Sequence, residues 1–260
     1  MRAAADATTE LRVGALVHDN DFRHPVVLAK ELATVDLLSG GRVEVGLGAG
    51  WMTSDYEQSG IPKDPAAVRV ARMEEAITVL KKCFAGEPFD FDGTHYRIRG
   101  LTGAPVPVQR PHPPLIVGGG GPRMLGIAAR EADIVGVNPA LRSGAIDADA
   151  ARDASAEATD RKLARVREAA GDRYDDLELN CLILAPVVTD DVEGSAELMG
   201  SMFGMSAAEV LESPHVLIGD AARMADVLEQ RRERWDFSYV VVQADAMEPF
   251  APVVARLSGA

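Results

Sequence analysis

The sequence predicts an α/β fold built on a parallel sheet, and three observations carry that expectation. Apolar runs rich in β-branched residues recur at residues 11–17, 42–47, 114–117, 133–137, 177–188 and 239–243. They are near-continuously apolar rather than alternating, as strands covered by helices on both faces are. Between them lie segments with apolar residues at helical spacing. The composition agrees: 47% of the 260 residues are hydrophobic and only 5% aromatic, which suits small helices packed on parallel strands.

The elements follow in order. LRVGALV at 11–17 is expected as one buried strand, and a helix over 26–38 follows it. Pro25 suits the first position of that helix, where a missing N–H costs nothing. RVEVGL at 42–47 is the second strand, leading to a helix over about 66–84. Residues 86–113 break the rhythm with five prolines, and FDFDGTHYRI within them predicts a hairpin turning at Asp92-Gly93. A third strand from residue 114 enters a four-glycine loop and a helix over 123–131; the fourth strand spans 133–137. Residues 145–158, rich in Ala and Asp, read as a loop feeding a helix around 159–169. The fifth strand spans 177–188, and 193–211 is helical. Asp220 is the expected N-cap of a helix over 221–235. YVVVQ at 239–243 is the sixth strand, and 249–257 a closing helix. A single domain over 1–260 is expected. Six strands fit an open doubly wound sheet, whereas an eight-stranded barrel wants two more; the pattern alone leaves both open.

Forty acidic residues against 27 basic give a net charge of −13. Such a surface repels nucleic acid and anionic membranes and leaves a small-molecule substrate as the expected partner. Cys83 and Cys181 stand alone in sequence and read as buried small apolar residues in a reducing compartment. There is no apolar run of the ~18 residues that a membrane helix needs, and the first ten residues lack the apolar stretch of a signal peptide. A cytoplasmic location is expected. No metal-ligand spacing, Ser/His/Asp set or Walker loop occurs, so no metal site is expected.

Ligands of α/β proteins gather at the C-terminal ends of strands, and three strand ends stand out. His18, Asp19, Asn20 and Asp21 follow the first run directly, as a pocket wall or as an acidic turn-forming loop. GLGAGW at 46–51 would let backbone approach a flat ligand, or would pack a tight turn. Gly118, Gly119, Gly120 and Gly121, between a strand and a helix start, form a candidate phosphate cradle with Arg123 on the first turn, or a flexible turn. Among the remaining candidates, His24 precedes a proline and reads as closing a turn. His95 and His112 read as exposed, and His215 as core or rim. Arg69, Arg72, Glu74 and Glu75 share one helix and are expected to make surface pairs.

Taken together, FRHPVVLAKELATVDLLSGGRVEVGLGAGW, RPHPPLIVGGGGPRMLGIAAREADIVG and SPHVLIGDAARMADVLEQRRERWDFSYVVV resemble, in this order, blocks of the luciferase-like superfamily, in its branch using the deazaflavin coenzyme F420. The resemblance implies a TIM-type (β/α) barrel with a deazaflavin or flavin across the strand mouths. By that resemblance Ala15, Leu16 and Val17 occupy a strand bulge that often carries a non-prolyl cis peptide and backs the ring. Ala49, Gly50 and Trp51 match the loop beside the ring. Gly118, Gly119, Gly120 and Gly121 match the loop that binds the phosphate, with Arg123 beside it. The implied chemistry is hydride transfer at C5 of the ring.

Family members carry roughly 50–60 residues ahead of the LRVGALV-like strand, the size of two βα units. Those units hold the acidic and histidine positions near the reactive face. Here Met1 falls within what resembles the end of the second helix, so an incomplete barrel of about six strands is expected and the catalytic acid or base is unassigned. An F420-dependent oxidoreductase is the leading expectation. An FMN-dependent monooxygenase is the second. A cofactor-free enzyme or binding protein, using His18, Asp19, Asp21 and Trp51 as pocket groups, is the third. A homo-oligomer is expected in each case.

Overall fold

A computed structural model describes residues 1–145 and 147–258. The chain forms two compact units, Met1–Gly118 with Arg130–Ile134, and Gly119–Ala129 with Val135–Ala260.

The first unit begins with α1 (Arg2–Asp6). The strand expected over 11–17 is instead two short ones, β1 (Val13–Gly14) and β2 (His18–Asp19). Both pair in parallel with β3 (Val43–Gly48), through Gly14↔Glu44 and His18↔Leu47. Four residue steps separate Gly14 from His18, against three between Glu44 and Leu47. One extra residue is therefore accommodated as a bulge. Leu11, Leu16 and Val17 are exposed rather than buried, and Leu16–Val17 is a non-prolyl cis peptide. An apolar run carries no information on register, which is why it read as one continuous strand.

After a 3-10 turn at Asn20–Phe22 comes α2 (Pro25–Ser39). His24 is its N-cap, its Nδ1 accepting the Val26 N–H at 3.3 Å, and Gly40 closes it in the left-handed conformation. Strand β3 is buried along its whole length. Two helices follow it, the short α3 (Thr53–Ser59), which the sequence pattern did not reveal, and α4 (Ala66–Ala85). Leu28 and Leu32 of α2 and Met73, Ile77 and Leu80 of α4 are fully buried core residues. Strands β4 (Pro88–Asp92) and β5 (Arg97–Thr102) form the expected antiparallel hairpin, but its connection is a four-residue loop between Asp92 and Arg97. The Glu75 carboxylate holds that loop by accepting N–H groups of Thr94, His95 and Tyr96 at 2.8–3.1 Å. Strand β6 (Leu115–Gly119) pairs in parallel with β3, Val45↔Leu115 to Leu47↔Val117. Cys83 is buried, and burial raises its thiol to about 11.

The second unit contains α5 (Pro122–Glu131), β7 (Ile134–Val137), α6 (Ala148–Asp153) and α7 (Ala156–Ala170). The loop expected over 145–158 is thus corrected for its described part, Ile146 lying outside the described residues. Asp147 and Ser155 act as caps, accepting N–H groups of Ala150 and Ala158. The alanines between them favour helix. The fifth run is corrected to two strands, β8 (Glu178–Leu182) and β9 (Ala185–Val188). The next helical stretch is broken by Gly204 into α8 (Val192–Phe203) and α9 (Ala207–Glu212). Strand β10 (Val216–Gly219), α10 (Ala221–Trp235), β11 (Phe237–Val241) and α11 (Met247–Leu257) complete the unit. Strand β8 pairs in parallel with β11, whereas β9 turns to β10. The change of partner, not a change of composition, divides the run. Asp220 caps α10 as expected, accepting the Arg223 N–H at 2.8 Å.

Buried polar groups of this unit are tied to backbone. Arg231 donates to the carbonyls of Ser213, Pro214 and Val216, and burial lowers it to about 10. Lys162 pairs with Asp153. Cys181 is buried, its thiol raised by burial to about 12, and its Sγ donates to the Pro214 carbonyl at 3.4 Å. His215 is a core residue, 1% exposed, with Nδ1 2.9 Å from the Leu182 carbonyl. Burial lowers its pKa to about 4.

The unfolded chain therefore binds a proton at His215, near the ordinary 6.5, that the folded chain refuses until about pH 4. Stability should be full above pH 6.5 and fall as pH drops to 4, by on the order of 3 kcal/mol from this one group. Urea unfolding at half-unit steps of pH, compared with His215→Asn, should show a shallower acid loss in the variant.

Candidate functional site

The bulge depends on missing side chains in β3. A Cβ on Gly46 would lie 2.0 Å from the Ala15 carbonyl oxygen, and one on Gly48 would lie 2.5 Å from Val17 Cγ2. These glycines of the GLGAG run therefore serve the approach of residues 15–17, which is the turn-packing alternative of the sequence reading. The bulge leaves Leu16 46% and Val17 40% exposed, two large apolar side chains beside the polar end of β2.

Beyond them, Asp19 Oδ1 accepts the Asp21 N–H at 2.9 Å and caps the 3-10 turn. The Tyr56 hydroxyl of α3 donates to Asp21 Oδ2 at 3.0 Å and lies 3.5 Å from Asp19 Oδ1. Arg72 of α4 pairs with Asp21 at 2.7 Å and with Asp64. The two carboxyls thus differ. Asp21 is buried against a guanidinium, while burial, with the Asp21 charge adding, raises Asp19 above the usual range. Burial and both carboxylates also raise the Tyr56 phenol, and the Asp64 and Asp21 bonds raise Arg72. Asn20 is buried, its Nδ2 donating to the Tyr96 hydroxyl at 3.2 Å.

The loop after β3 is clamped from α4. Arg69 donates to the carbonyls of Ala49 at 3.0 Å, Gly50 at 3.2 Å and Asp64, and Lys63 to that of Trp51 at 2.9 Å. Gly50 has φ +70°, and a Cβ there would lie 1.9 Å from Tyr56 Oη. Trp51 remains 36% exposed. Arg69, Arg72 and Glu75 are thus not the surface pairs expected of them. Arg69 is 8% exposed, and all three organise loops. His18, Asp19, Asp21, Ala49, Gly50 and Trp51 belong to this one unit with residues 15–17. Tyr56, Asp64, Arg69 and Arg72 are the members that sequence reading missed. The 69/72 spacing of two arginines on one helical face was the available signal.

In the second unit, Gly120 is pressed against the end of β7: a Cβ would lie 2.3 Å from the Ala140 nitrogen and 2.5 Å from the Asn138 oxygen. The Asn138 N–H donates to the Gly119 carbonyl at 3.2 Å. Gly121, just ahead of α5, has open space where a Cβ would be. Asn138 Oδ1 is buried without a hydrogen-bond partner, which leaves an acceptor beside the loop. Arg123 is exposed on the first turn of α5. Among the described residues no group of three or more His, Cys, Asp or Glu is placed to hold a metal. Nor is any helix long and apolar enough to cross a membrane.

Parallel strands, a bulged strand mouth and a glycine loop before a helix define a class, and sequence comparison identifies it. Residues 1–191 match the luciferase-like monooxygenase family, and the chain belongs to that family. The FMNH2-dependent dimethylsulfone monooxygenase of Pseudomonas putida is 35% identical over 127 residues, 49% of this chain and 35% of that protein. The F420-dependent glucose-6-phosphate dehydrogenase of Mycolicibacterium fortuitum is 32% identical over 135 residues, 51% and 40% respectively. The aligned stretches thus span less than half of these relatives. Among solved structures, the coenzyme F420-dependent tetrahydromethanopterin reductase of Methanopyrus kandleri matches 98% of this chain and 84% of its own with a TM-score of 0.75 at 19% identity. A monooxygenase of Streptomyces bottropensis matches 99% and 82% with 0.72 at 20%. The fold is that of these luciferase-like α/β barrels, and relatives bear the names of both F420 and FMNH2.

Tyr56→Phe removes a hydroxyl that serves Asp21, so unfolding in urea at pH 7 should show a loss of about 1–2 kcal/mol. Gly50→Ala should lose more, since it combines a disfavoured φ with a clash on Tyr56. Asp19→Asn keeps the acceptor of the cap and removes a charge that the site disfavours, so it should be neutral or stabilising in the same assay.

Proposed function

We propose that this chain is an F420-dependent oxidoreductase moving a hydride between the reduced deazaflavin and a small organic substrate. The observation that carries the reading is the bulge at residues 15–17. It offers Leu16 and Val17 as an exposed apolar seat directly beside the half-buried His18 and Asp19. When bound, the reduced deazaflavin supplies the hydride from C5 of its ring.

The chain's own residues bind and orient. Leu16 and Val17 give a flat ring apolar contact, and Ala15 continues that seat. Ala49, Gly50 and Trp51, clamped by Arg69 and Lys63, form a fixed edge with one exposed indole. Gly118, Gly119, Gly120 and Gly121 with Arg123 are assigned to a phosphate, which suits the positive end of α5. Asp19, whose burial favours its protonated form, and His18 are the candidate proton-handling groups. Asp21 is a fixed anion paired with Arg72.

FMN is the second reading, favoured by the 35% identity to an FMNH2-dependent protein. A cytoplasmic location and self-association belong to the same proposal. Apolar side chains such as Leu198 and Met202 on α8 and Leu38 on α2 lie exposed and would gain from cover.

Titrating the chain with F420 and with FMN, and following absorbance and thermal stability, tests the reading. F420 should bind in the micromolar range and more tightly than FMN. Silence with both at high micromolar concentration would leave only a cofactor-free role. Gly121→Asp separates folding from phosphate binding. An Asp at this position caps α5 and should keep or raise stability, yet it should weaken binding of the phosphate-bearing cofactor about tenfold by repulsion.

A further inference from the structure

We infer that His18 is the residue that makes a direct hydrogen bond to the ligand at this strand mouth, its Nε2 meeting the polar edge of a flat heteroaromatic ring seated on Leu16 and Val17. The inference deepens the proposed function and rests on it, because the deazaflavin or flavin ring is a ligand of that class.

The polar groups around the mouth are otherwise accounted for. Asp19, Asp21, Tyr56, Arg72 and Asp64 satisfy one another, Asn20 meets Tyr96, and Arg69 and Lys63 are used on backbone carbonyls. His18 Nε2 is the exception: it is shut off from solvent and has no hydrogen-bond partner. Buried polar atoms in folded proteins are nearly always satisfied, so an orphan asks for an explanation.

The other histidines show why this one points to a ligand. His24 caps α2, and the His112 ring lies 3.0 Å from the Pro113 carbonyl. His215 Nε2 is also an orphan, but its ring is 1% exposed in the core of the other unit, where nothing can reach it. The His18 residue is only partly buried. It directly follows Leu16 and Val17, themselves 46% and 40% exposed, so a ring resting on those side chains lies beside this residue, and a turn of the imidazole would bring Nε2 to the ring edge.

The backbone makes the placement reproducible. His18 is held by its pairing with Leu47 of β3, between the bulge on one side and the Asp19-capped turn on the other. Burial, with the Arg23 charge adding, lowers the pKa of the ring and so favours its neutral form. A neutral imidazole offers a lone pair or an N–H at Nε2 according to tautomer. It can therefore face either a ring N–H or a ring carbonyl, the two groups that alternate along a pyrimidinedione edge.

The test uses the full chain with 15N-labelled histidine, titrated separately with F420 and with FMN. Affinity is read from fluorescence, and the state of His18 from its Nε2 resonance, assigned by its absence in His18→Ala. The expected result is binding of at least one cofactor, a shift of the His18 resonance on binding, a loss of affinity of about tenfold in His18→Ala, and partial recovery in His18→Gln. If the unaltered chain binds a cofactor and His18→Ala binds it within twofold, the inference falls and the proposed function stands. If His18→Ala does not fold, His18→Gln supplies the assignment and the resonance in the unaltered chain decides, an unmoved signal on saturation overturning the inference. If the unaltered chain binds neither cofactor, the proposed function falls and takes this inference with it.

Discussion

The candidate site of the first unit hangs on the approach of residues 15–17 to β3, with the Ala15 carbonyl and the Val17 side chain in the space that Cβ atoms on Gly46 and Gly48 would occupy. Without that approach the extra residue between Gly14 and His18 could not be absorbed, and β2 could not regain pairing with Leu47 and Gly48. A one-residue slip in a strand turns every side chain to the other face. The bulge therefore decides which face receives His18 and which receives Asp19. It also turns Leu16 and Val17 outward from what composition suggests is a buried strand.

Helix α4 supplies the second constraint. Arg69, Arg72 and Glu75 follow one another at roughly one turn and face different clients: the loop after β3, the Asp21 and Asp64 carboxylates, and the N–H groups of the hairpin loop. Each is a charge-assisted bond to a group that would otherwise be orphaned, the stronger class of hydrogen bond. The helix thereby fixes three irregular segments that have little regular structure of their own. Preorganisation of this kind lets loop residues hold a ligand without ordering at the moment of binding.

The paired carboxyls illustrate how environment divides like groups. Asp19 and Asp21 are two residues apart and both lie within reach of the Tyr56 hydroxyl. Only Asp21 of the two is paired with a guanidinium, that of Arg72. Asp19 is half-buried beside that charge, and its proton is held more tightly for it. Two side chains of identical chemistry thus acquire different surroundings, one paired with Arg72 and the other shifted chiefly by burial.

Local signals were legible without the structure. Apolar runs separated by helical periodicity marked the α/β class, Asp220 announced α10, and Pro25 placed the start of α2. Those features depend on neighbours a few residues away, so the order of residues contains them. The resemblance of three blocks also located the bulge at residues 15–17 and the glycine loop. What the order of residues could not contain was partnership across distance. The 177–188 run divides because β9 turns to β10 while β8 stays with β11. The alanine-rich stretch around 148–158 is helical because Asp147 and Ser155 spend their side chains on caps. Arg69 and Arg72 read as surface charges because their clients lie up to 51 residues away in sequence, as Asp21 does from Arg72. The sequence by itself determined the class of fold, most helices and the family. Only the tertiary structure decided which polar groups meet, which glycines serve packing, and that the buried Nε2 of His18 at the strand mouth has no partner, because hydrogen-bond satisfaction is settled by atoms brought together from separate segments.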